Sequence, residues 1–301
     1  AGYRSANFMR SILERLEWMF RHHFAYPVLR LFLRNAPVEG PIDIDSIRSM
    51  LILRYDKIGD MLVTKPILRA LKRHHPHLII GVVASPVNAE IIENDEGVDH
   101  CYVLKRNPVY LAKELLRARK EKYDVVINFV FNRTTSGALL AHFICPHGII
   151  IGQGNEKYAF YFNKLISLPP SDRHMVEMLS FYVSNVFRVT FANEELKLFY
   201  SVDTKSFQKV NAFVEKHSLH RRHHGLKANR YIIVNISVRD ATNALTREQV
   251  FTLITFLNRI PQFTAIIIYA PEDAAKAMRV WEATEGGQCL IYPEQGTASL
   301  A

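Results

Sequence analysis

The spacing of hydrophobic positions along the chain predicts alternating strands and helices. Short runs that are apolar throughout predict strands at 49–54, 78–84, 101–104, 125–129 and 148–151. Between these runs, apolar residues at helical spacing predict helices at 60–74, 87–93, 110–122 and 135–143. Strands that are apolar on both faces and separated by helices are typical of a parallel sheet covered on both sides. The first half of the chain therefore predicts a Rossmann-like domain.

The second half repeats the alternation after an interruption. Glycines and prolines between Gly152 and Asp172 predict irregular chain, and the helix predicted at 174–187 is interpreted as a bridge between two domains. Further helices are predicted at 206–217, 247–259 and 273–284, and further strands at 231–236, 265–269 and 289–292. This pattern indicates a second open α/β sheet, which ends after about three strands where five or six are usual.

The first 40 residues read differently. Apolar residues at helical spacing between Phe8 and Phe24 alternate with arginines and predict a basic amphipathic helix. Such a helix lies on an anionic membrane leaflet or packs on its own domain, and the sequence leaves both open. Turn-forming residues at 35–41 predict a linker. The predicted domains are therefore residues 1–40, a helical extension and linker, then residues 41–172 and residues 173–301.

Composition and charge narrow the classes of function. The 301 residues are 49% hydrophobic and 22% charged, which excludes a disordered protein, and a formal charge of +9 favours anionic partners. Three scattered cysteines form neither a disulfide framework nor a zinc motif. Basic residues without interleaved aromatic residues argue against nucleic-acid binding. The basic clusters at 72–75 and 221–224 are interpreted as charges at helix C-termini.

The turn that follows the first predicted strand is the strongest candidate for chemistry. Ligands of open parallel sheets bind at the carboxyl ends of strands, and this turn runs from Arg54 to Asp60. Gly59 permits a tight turn or the close approach of a ligand. Asp60 falls at the predicted helix start, where it is either an N-cap or a carboxylate that accepts a proton from a bound hydroxyl.

Several common catalytic motifs are absent from the sequence. There is no G-x-G-x-x-G, no Walker sequence, no G-x-S-x-G and no H-E-x-x-H, so dinucleotide oxidoreductases, P-loop NTPases and two classes of hydrolase lack their usual motifs. No D-x-D pair stands in a suitable loop, and we therefore expect no metal and no cofactor.

Residues 51–72, LILRYDKIGDMLVTKPILRALK, resemble the opening of glycosyltransferase family 9, the ADP-heptose:lipopolysaccharide heptosyltransferases. That family has a strand, an R-x-D-x-I-G-D loop and an L-x-T-x-P-x-L-x-x-L-K helix at this point. Residues 83–89, 123–128 and 174–177 resemble later segments of the same family. The resemblance implies a GT-B architecture, with two Rossmann-like domains facing a cleft.

The resemblance also implies an inverting glycosyltransferase. Asp60 would be the general base, with Lys57, Gly59 and Thr64 in the acceptor loop. The donor would be a nucleotide sugar, ADP-heptose first among them, and the acceptor a lipid-linked lipopolysaccharide core oligosaccharide. The implied location is cytoplasmic, peripheral on the inner face of the inner membrane, with an anionic membrane surface as a further partner.

The donor side departs from the family pattern. The resemblance places donor binding at Ser237, Arg239 and Thr242, of which Thr242 stands where the family has a lysine. Arg239 and its neighbour Asp240 are alternatively a solvated turn. The family's D-T-G-x-x-H-x-A segment would follow Leu300, so we expect the second domain to be incomplete here and the sequence to continue at both ends. A catalytically inactive relative that binds glycolipid or nucleotide is the alternative function.

Overall fold

The computed structural model forms two compact units, Ala1–Tyr200 and Ser201–Ala301. It describes residues 26–33, 35–131, 134–154, 156–168, 173–199, 204–217, 230–238, 245–260, 263–284 and 289–292. The amphipathic helix predicted between Phe8 and Phe24 lies outside the described residues.

The first unit alternates strands and helices as the hydrophobic pattern predicts. Its strands are β1 (Ser49–Leu53), β2 (Ile79–Ala84), β3 (His100–Val103), β4 (Val125–Asn128), β5 (Ile149–Gln153) and β6 (Lys164–Ile166). Its helices are α1 (Tyr26–Phe32), α2 (Ile58–His74), α3 (Pro108–Lys120), α4 (Thr134–Ile144) and α5 (Met175–Phe187), and short 3-10 turns cover Ile44–Ser46, Ala89–Ile91 and Glu156–Tyr161.

The strands form one parallel sheet in the order β3-β2-β1-β4-β5-β6. Every residue of the central strands β1 and β4 is buried, as a sheet covered on both faces requires. One face packs against apolar residues of α2 and α5, and the other against α1, α3 and α4. The sheet order reverses direction between β1 and β4, which places the topological switch point there.

Three features of this unit differ from the sequence predictions. The helix at 175–187 lies within the first unit, where its buried face packs in the same core as α2. The division between the two units falls after Tyr200 rather than after Asp172. The segment predicted to be irregular contains strand β6. The predicted linker follows the sheet edge, with the Val38 amide donating to the Asn163 carbonyl at 2.8 Å.

The second unit has its own parallel sheet and core. Its strands are β7 (Arg230–Asn235), β8 (Phe263–Ile268) and β9 (Cys289–Ile291), paired in that order. Its helices are α6 (Thr204–Lys216), α7 (Arg247–Asn258) and α8 (Ala274–Glu282). Apolar residues of α7 and α8 form the core with the sheet. No helix in the described part of the chain is long and apolar enough to cross a membrane.

Candidate functional site

The candidate site lies at the carboxyl end of β1, beside the switch point of the sheet. The turn after β1 carries Arg54 and Asp56, Asp60 follows in the first turn of α2, and the segment after β4 begins at Phe129. In parallel α/β sheets ligands bind outside the carboxyl ends of the strands where the order reverses. The sheet topology therefore indicates the same turn as a ligand site that the sequence predicts.

Arg54 is the buried centre of this turn, with 1% of the residue exposed. Its Nε donates to the main-chain carbonyl of Asp60 at 3.0 Å, and Nη1 donates to the carbonyl of Phe129. Nη1 also lies 3.3 Å from Asp56 Oδ2, and Nη2 lies 3.5 Å from Asp60 Oδ1. One guanidinium thereby ties the turn after β1, the first turn of α2 and the segment after β4 together.

Asp60 is the third residue of α2 and not its N-cap. The helix begins at Ile58, with Lys57 in the cap position and without a side-chain cap hydrogen bond. The reading of Asp60 as an N-cap is therefore wrong, because α2 starts two residues earlier than the hydrophobic spacing predicts. The Asp60 side chain remains 30% exposed. A carboxylate in the first turn is stabilised by the helix dipole and remains open to a ligand.

Asp56 shares the guanidinium of Arg54 with Asp60. The Asp56 side chain is 20% exposed. Its burial is the largest influence on its pKa and raises that pKa. Arg54 lowers the pKa of Asp56, whereas the negative charge of Asp60 raises it, and the pKa ends above its ordinary value. The two carboxyl groups therefore interact electrostatically.

Asn88 fixes the turn to the end of β2. It is fully buried, its Oδ1 accepts from the Ser85 amide at 2.8 Å, and its Nδ2 donates to the Arg54 carbonyl at 2.9 Å. Nδ2 also lies 3.4 Å from the carbonyl of Lys57. Sequence reasoning missed Asn88, because a polar residue inside a predicted short helix gives no signal of a buried main-chain contact.

The other predicted acceptor-loop residues occupy different environments. Lys57 and Gly59 are exposed. Gly59 is helical without a positive φ, so the tight-turn explanation is wrong for it, but a Cβ there would meet no atom within 4 Å. Thr64 is fully buried, and its hydroxyl donates to the Asp60 carbonyl at 2.7 Å. Thr64 therefore supports the backbone that carries Asp60, without an exposed hydroxyl.

In the second unit, the candidate donor residues follow β7. Ser237 Oγ accepts from the Ala270 amide at 2.7 Å, which links the carboxyl ends of β7 and β8. Arg239 and Thr242 lie outside the described residues. Lys276, on α8, reaches the same edge, because its Nζ donates to the Ile236 carbonyl at 3.2 Å. Sequence reasoning missed this lysine, since only the fold brings it beside Ser237.

Within the described ranges, no group of three or more His, Cys, Asp or Glu side chains could hold a metal ion. The first unit therefore carries two carboxylates around one guanidinium. The second unit, described by itself, carries a hydroxyl and an ammonium at the carboxyl edge of its sheet. A carboxylate can accept a proton from an alcohol, and an ammonium can bind phosphate.

Comparison with known proteins gives structural likeness only. No protein-family model matches the chain, and no curated protein sequence matches it. A glycosyl transferase family 9 structure from Veillonella parvula is 18% identical, with a TM-score of 0.60, over 83% of this chain and 70% of that one. E. coli ADP-heptose lipopolysaccharide heptosyltransferase II is 16% identical, with a TM-score of 0.55, over 83% and 74%.

A third similar structure contains a nucleotide. E. coli heptosyltransferase WaaC with ADP is 15% identical, with a TM-score of 0.57, over 82% of this chain and 75% of that one. WaaC with ADP-2-deoxy-2-fluoro heptose gives the same TM-score. These identities are low, and what they share with this chain is the arrangement of strands and helices. The chain has the α/β fold of the GT-B glycosyltransferases, including heptosyltransferases.

Proposed function

We propose that this protein is an inverting glycosyltransferase. It moves a heptose or related sugar from a nucleotide-sugar donor to a lipopolysaccharide core acceptor, with Asp60 as the general base. The observation that carries the proposal is the position of Asp60, whose partly exposed carboxylate stands at the carboxyl end of β1, beside the switch point. The R-x-D-x-I-G-D resemblance over residues 54–60 and the fold support the same function.

The chemistry follows from an ionised carboxylate beside a bound alcohol. As the acceptor oxygen attacks the anomeric carbon, its proton passes to Asp60, and the bond between that carbon and the diphosphate oxygen breaks. The leaving diphosphate keeps the electron pair, and the attack from the opposite face inverts the configuration. A positioned base contributes about 100- to 10,000-fold to the rate of such a step.

The donor side of the proposal rests on the carboxyl edge of the second sheet. Ser237 and Lys276 supply a hydroxyl and an ammonium there, and Arg239 and Thr242 follow in the chain. Cations at this edge would stabilise the negative charge that develops on the departing diphosphate. ADP-heptose is the proposed donor, since a heptosyltransferase of similar fold has been solved with ADP and with a fluorinated ADP-heptose.

The acceptor is lipid-linked in this proposal, and the protein works at the cytoplasmic face of the inner membrane. The outer face of α3 supports an anionic membrane partner. Val109 and Leu116 are 80% and 51% exposed there, next to the exposed Lys113 and Lys120. Glu114, the acidic residue of this helix, is buried against Arg117, so the exposed face of α3 is apolar and basic.

A catalytically inactive protein that binds nucleotide or glycolipid is the second candidate. The threonine at position 242 favours it, because a lysine is expected there from the resemblance. Incubation with ADP-heptose, UDP-glucose or GDP-mannose, each with and without a core lipopolysaccharide acceptor, separates the two. We expect acceptor-dependent release of ADP from ADP-heptose. Binding of ADP without release in any mixture would support the inactive binder and contradict the enzyme.

A further inference from the structure

The Arg54 guanidinium is shared by two carboxylates. Its Nη1 faces Asp56 at 3.3 Å and its Nη2 faces Asp60 at 3.5 Å, while Nε holds the main-chain carbonyl of Asp60. Arg54 is almost fully buried, whereas the Asp60 side chain is 30% exposed. The Asp60 carboxylate therefore lies at ion-pair distance from a guanidinium that it shares with Asp56.

This sharing matters for a base. A carboxylate that pairs alone with a buried guanidinium is held in its charged form, and its pKa falls. A carboxylate with a lowered pKa is a weaker proton acceptor at neutral pH. A second negative charge on the same guanidinium opposes this effect, because it offsets part of the positive charge that Asp60 experiences.

We propose that Asp56 is a positioning residue for Asp60: by occupying one arm of Arg54, it prevents Asp60 from pairing alone with the guanidinium and keeps it available as a proton acceptor. This inference rests on the proposed function for one point, the role of Asp60 as the proton acceptor. The negative charge of Asp60 in turn acts on Asp56, whose pKa is raised by burial first and by Asp60 as well. The interaction free energy between two sites is the same whichever site is removed. Removing the charge of Asp60 therefore measures the same interaction as removing that of Asp56.

The charged groups acting on the Asp56 carboxyl are Arg54, from the turn itself, and Asp60, from α2. The segment after β4 faces Arg54 with uncharged groups, the Phe129 carbonyl and the Phe131 ring, whose centroid lies 5.9 Å from the guanidinium carbon. The segment after β2 contributes the amide of Asn88 to the Arg54 carbonyl. A titration of the Asp56 carboxyl group therefore reflects its interactions with Arg54 and Asp60.

The test is a carboxyl-carbon NMR titration of aspartate-labelled protein between about pH 3 and pH 8, which needs no substrate. In Asp60→Asn we expect the pKa of Asp56 to fall, since a negative charge that raises it is removed. Asp45→Asn, at a carboxylate that is 71% exposed and pairs with His75, is the matched control and leaves the pKa of Asp56 unchanged.

An unchanged Asp56 titration in folded Asp60→Asn would overturn the inference. Asp56→Glu restores the second carboxylate and should restore sugar transfer, which a purely structural role of Asp56 would not require. With an active enzyme, kcat of Asp56→Asn falls about three- to tenfold, KM stays within about twofold, and the acidic limb of the rate profile moves to lower pH. If the wild type transfers no sugar, the proposed function fails. The titration still decides whether the carboxyl groups of Asp56 and Asp60 interact through Arg54.

Discussion

At the scale of single residues, buried charge is concentrated on one side of α2. The Asp95 side chain is 1% exposed and lies 2.9 Å from the ammonium of Lys65, which is 4% exposed. Arg69 Nε donates to the same carboxylate at 3.0 Å, and the Gly97 amide also donates at 3.0 Å. Burial on its own would raise the pKa of Asp95, but the hydrogen bonds from Arg69, Lys65 and Gly97 bring it below its ordinary value. The loop before β3 is thereby held to α2 by a satisfied buried charge.

We expect Asp95→Asn to lower the free energy of unfolding by about 3 kcal/mol at pH 7, because it leaves a buried ammonium without its partner. The folded pKa of Asp95 lies below its unfolded pKa, so its stabilisation is present above the unfolded value, near 3.8, and is lost as the pH falls through the folded value. Urea unfolding across pH 2 to 7 measures this.

The difference between wild type and Asp95→Asn should shrink below about pH 4. A difference that stays constant over the whole range would contradict an ionised Asp95. Asp45→Asn, in the exposed pair with His75, is the control and should change stability by less than about 1 kcal/mol.

At the scale of elements, α2 joins the candidate site to the core. Its buried residues pack under the sheet, while Gly59 stands exposed in its first turn with open space around the position of a Cβ. Glycine in a helix costs stability relative to alanine. Neither its φ nor a clash with a neighbouring atom requires a glycine at position 59. A ligand that packs against the Cα would explain why the position has no side chain.

We expect Gly59→Ala to raise the free energy of unfolding by about 0.5 kcal/mol and to lower sugar transfer at the same time. Thermal unfolding and steady-state transfer by the same preparation measure the two effects. Transfer that remains equal to wild type would show that no acceptor group packs on Gly59. A loss of stability would contradict its open surroundings.

The outer face of α3 is the element for which membrane contact is proposed. We expect wild-type protein to sediment with vesicles that contain phosphatidylglycerol and less with vesicles of phosphatidylcholine alone, since lysines attract anionic lipid. Lys113→Glu with Lys120→Glu should weaken this binding at least about 30-fold, because the two lost basic residues contribute about 1 kcal/mol each. Lys205→Glu with Lys216→Glu, on exposed positions of α6, is the matched control. Equal sedimentation of both variants would contradict a role for α3.

The elements that could be predicted from the sequence are those whose burial is visible in their composition. β1 and β4 are buried along their whole length, so an unbroken apolar run identifies them. β6 was missed because it has three residues, begins with a lysine and lies at the sheet edge. The unit to which α5 belongs could not be predicted, since the apolar face of a helix does not indicate which sheet it will pack against. Arg54 shows the same limit at the site, where its three partners come from separate segments.

At the scale of the whole molecule, the chain divides into two units with separate sheets and separate cores. The candidate base belongs to the first unit, whereas the candidate donor residues Ser237 and Lys276 belong to the second. The proposed reaction therefore requires both units, while folding of the first depends on its own sheet and the helices that cover it.

We expect residues 1–200, expressed alone, to fold and to unfold cooperatively on heating, because this unit keeps both cores that cover its sheet. The fragment should not bind ADP, since the proposed donor residues are absent from it. Circular dichroism and calorimetric titration with ADP test the two statements. A fragment without a thermal transition, or one that binds ADP as tightly as the full chain, would contradict this division of roles.

Asp60→Asn tests the central claim most directly, because asparagine keeps the size of the side chain but cannot accept the proton. The quantity to measure is the acceptor-dependent rate of ADP release from ADP-heptose, corrected for donor hydrolysis, with ADP binding as the control for folding. We predict a rate at least about 100-fold below wild type with ADP binding retained. A rate within about twofold of wild type would contradict Asp60 as the base.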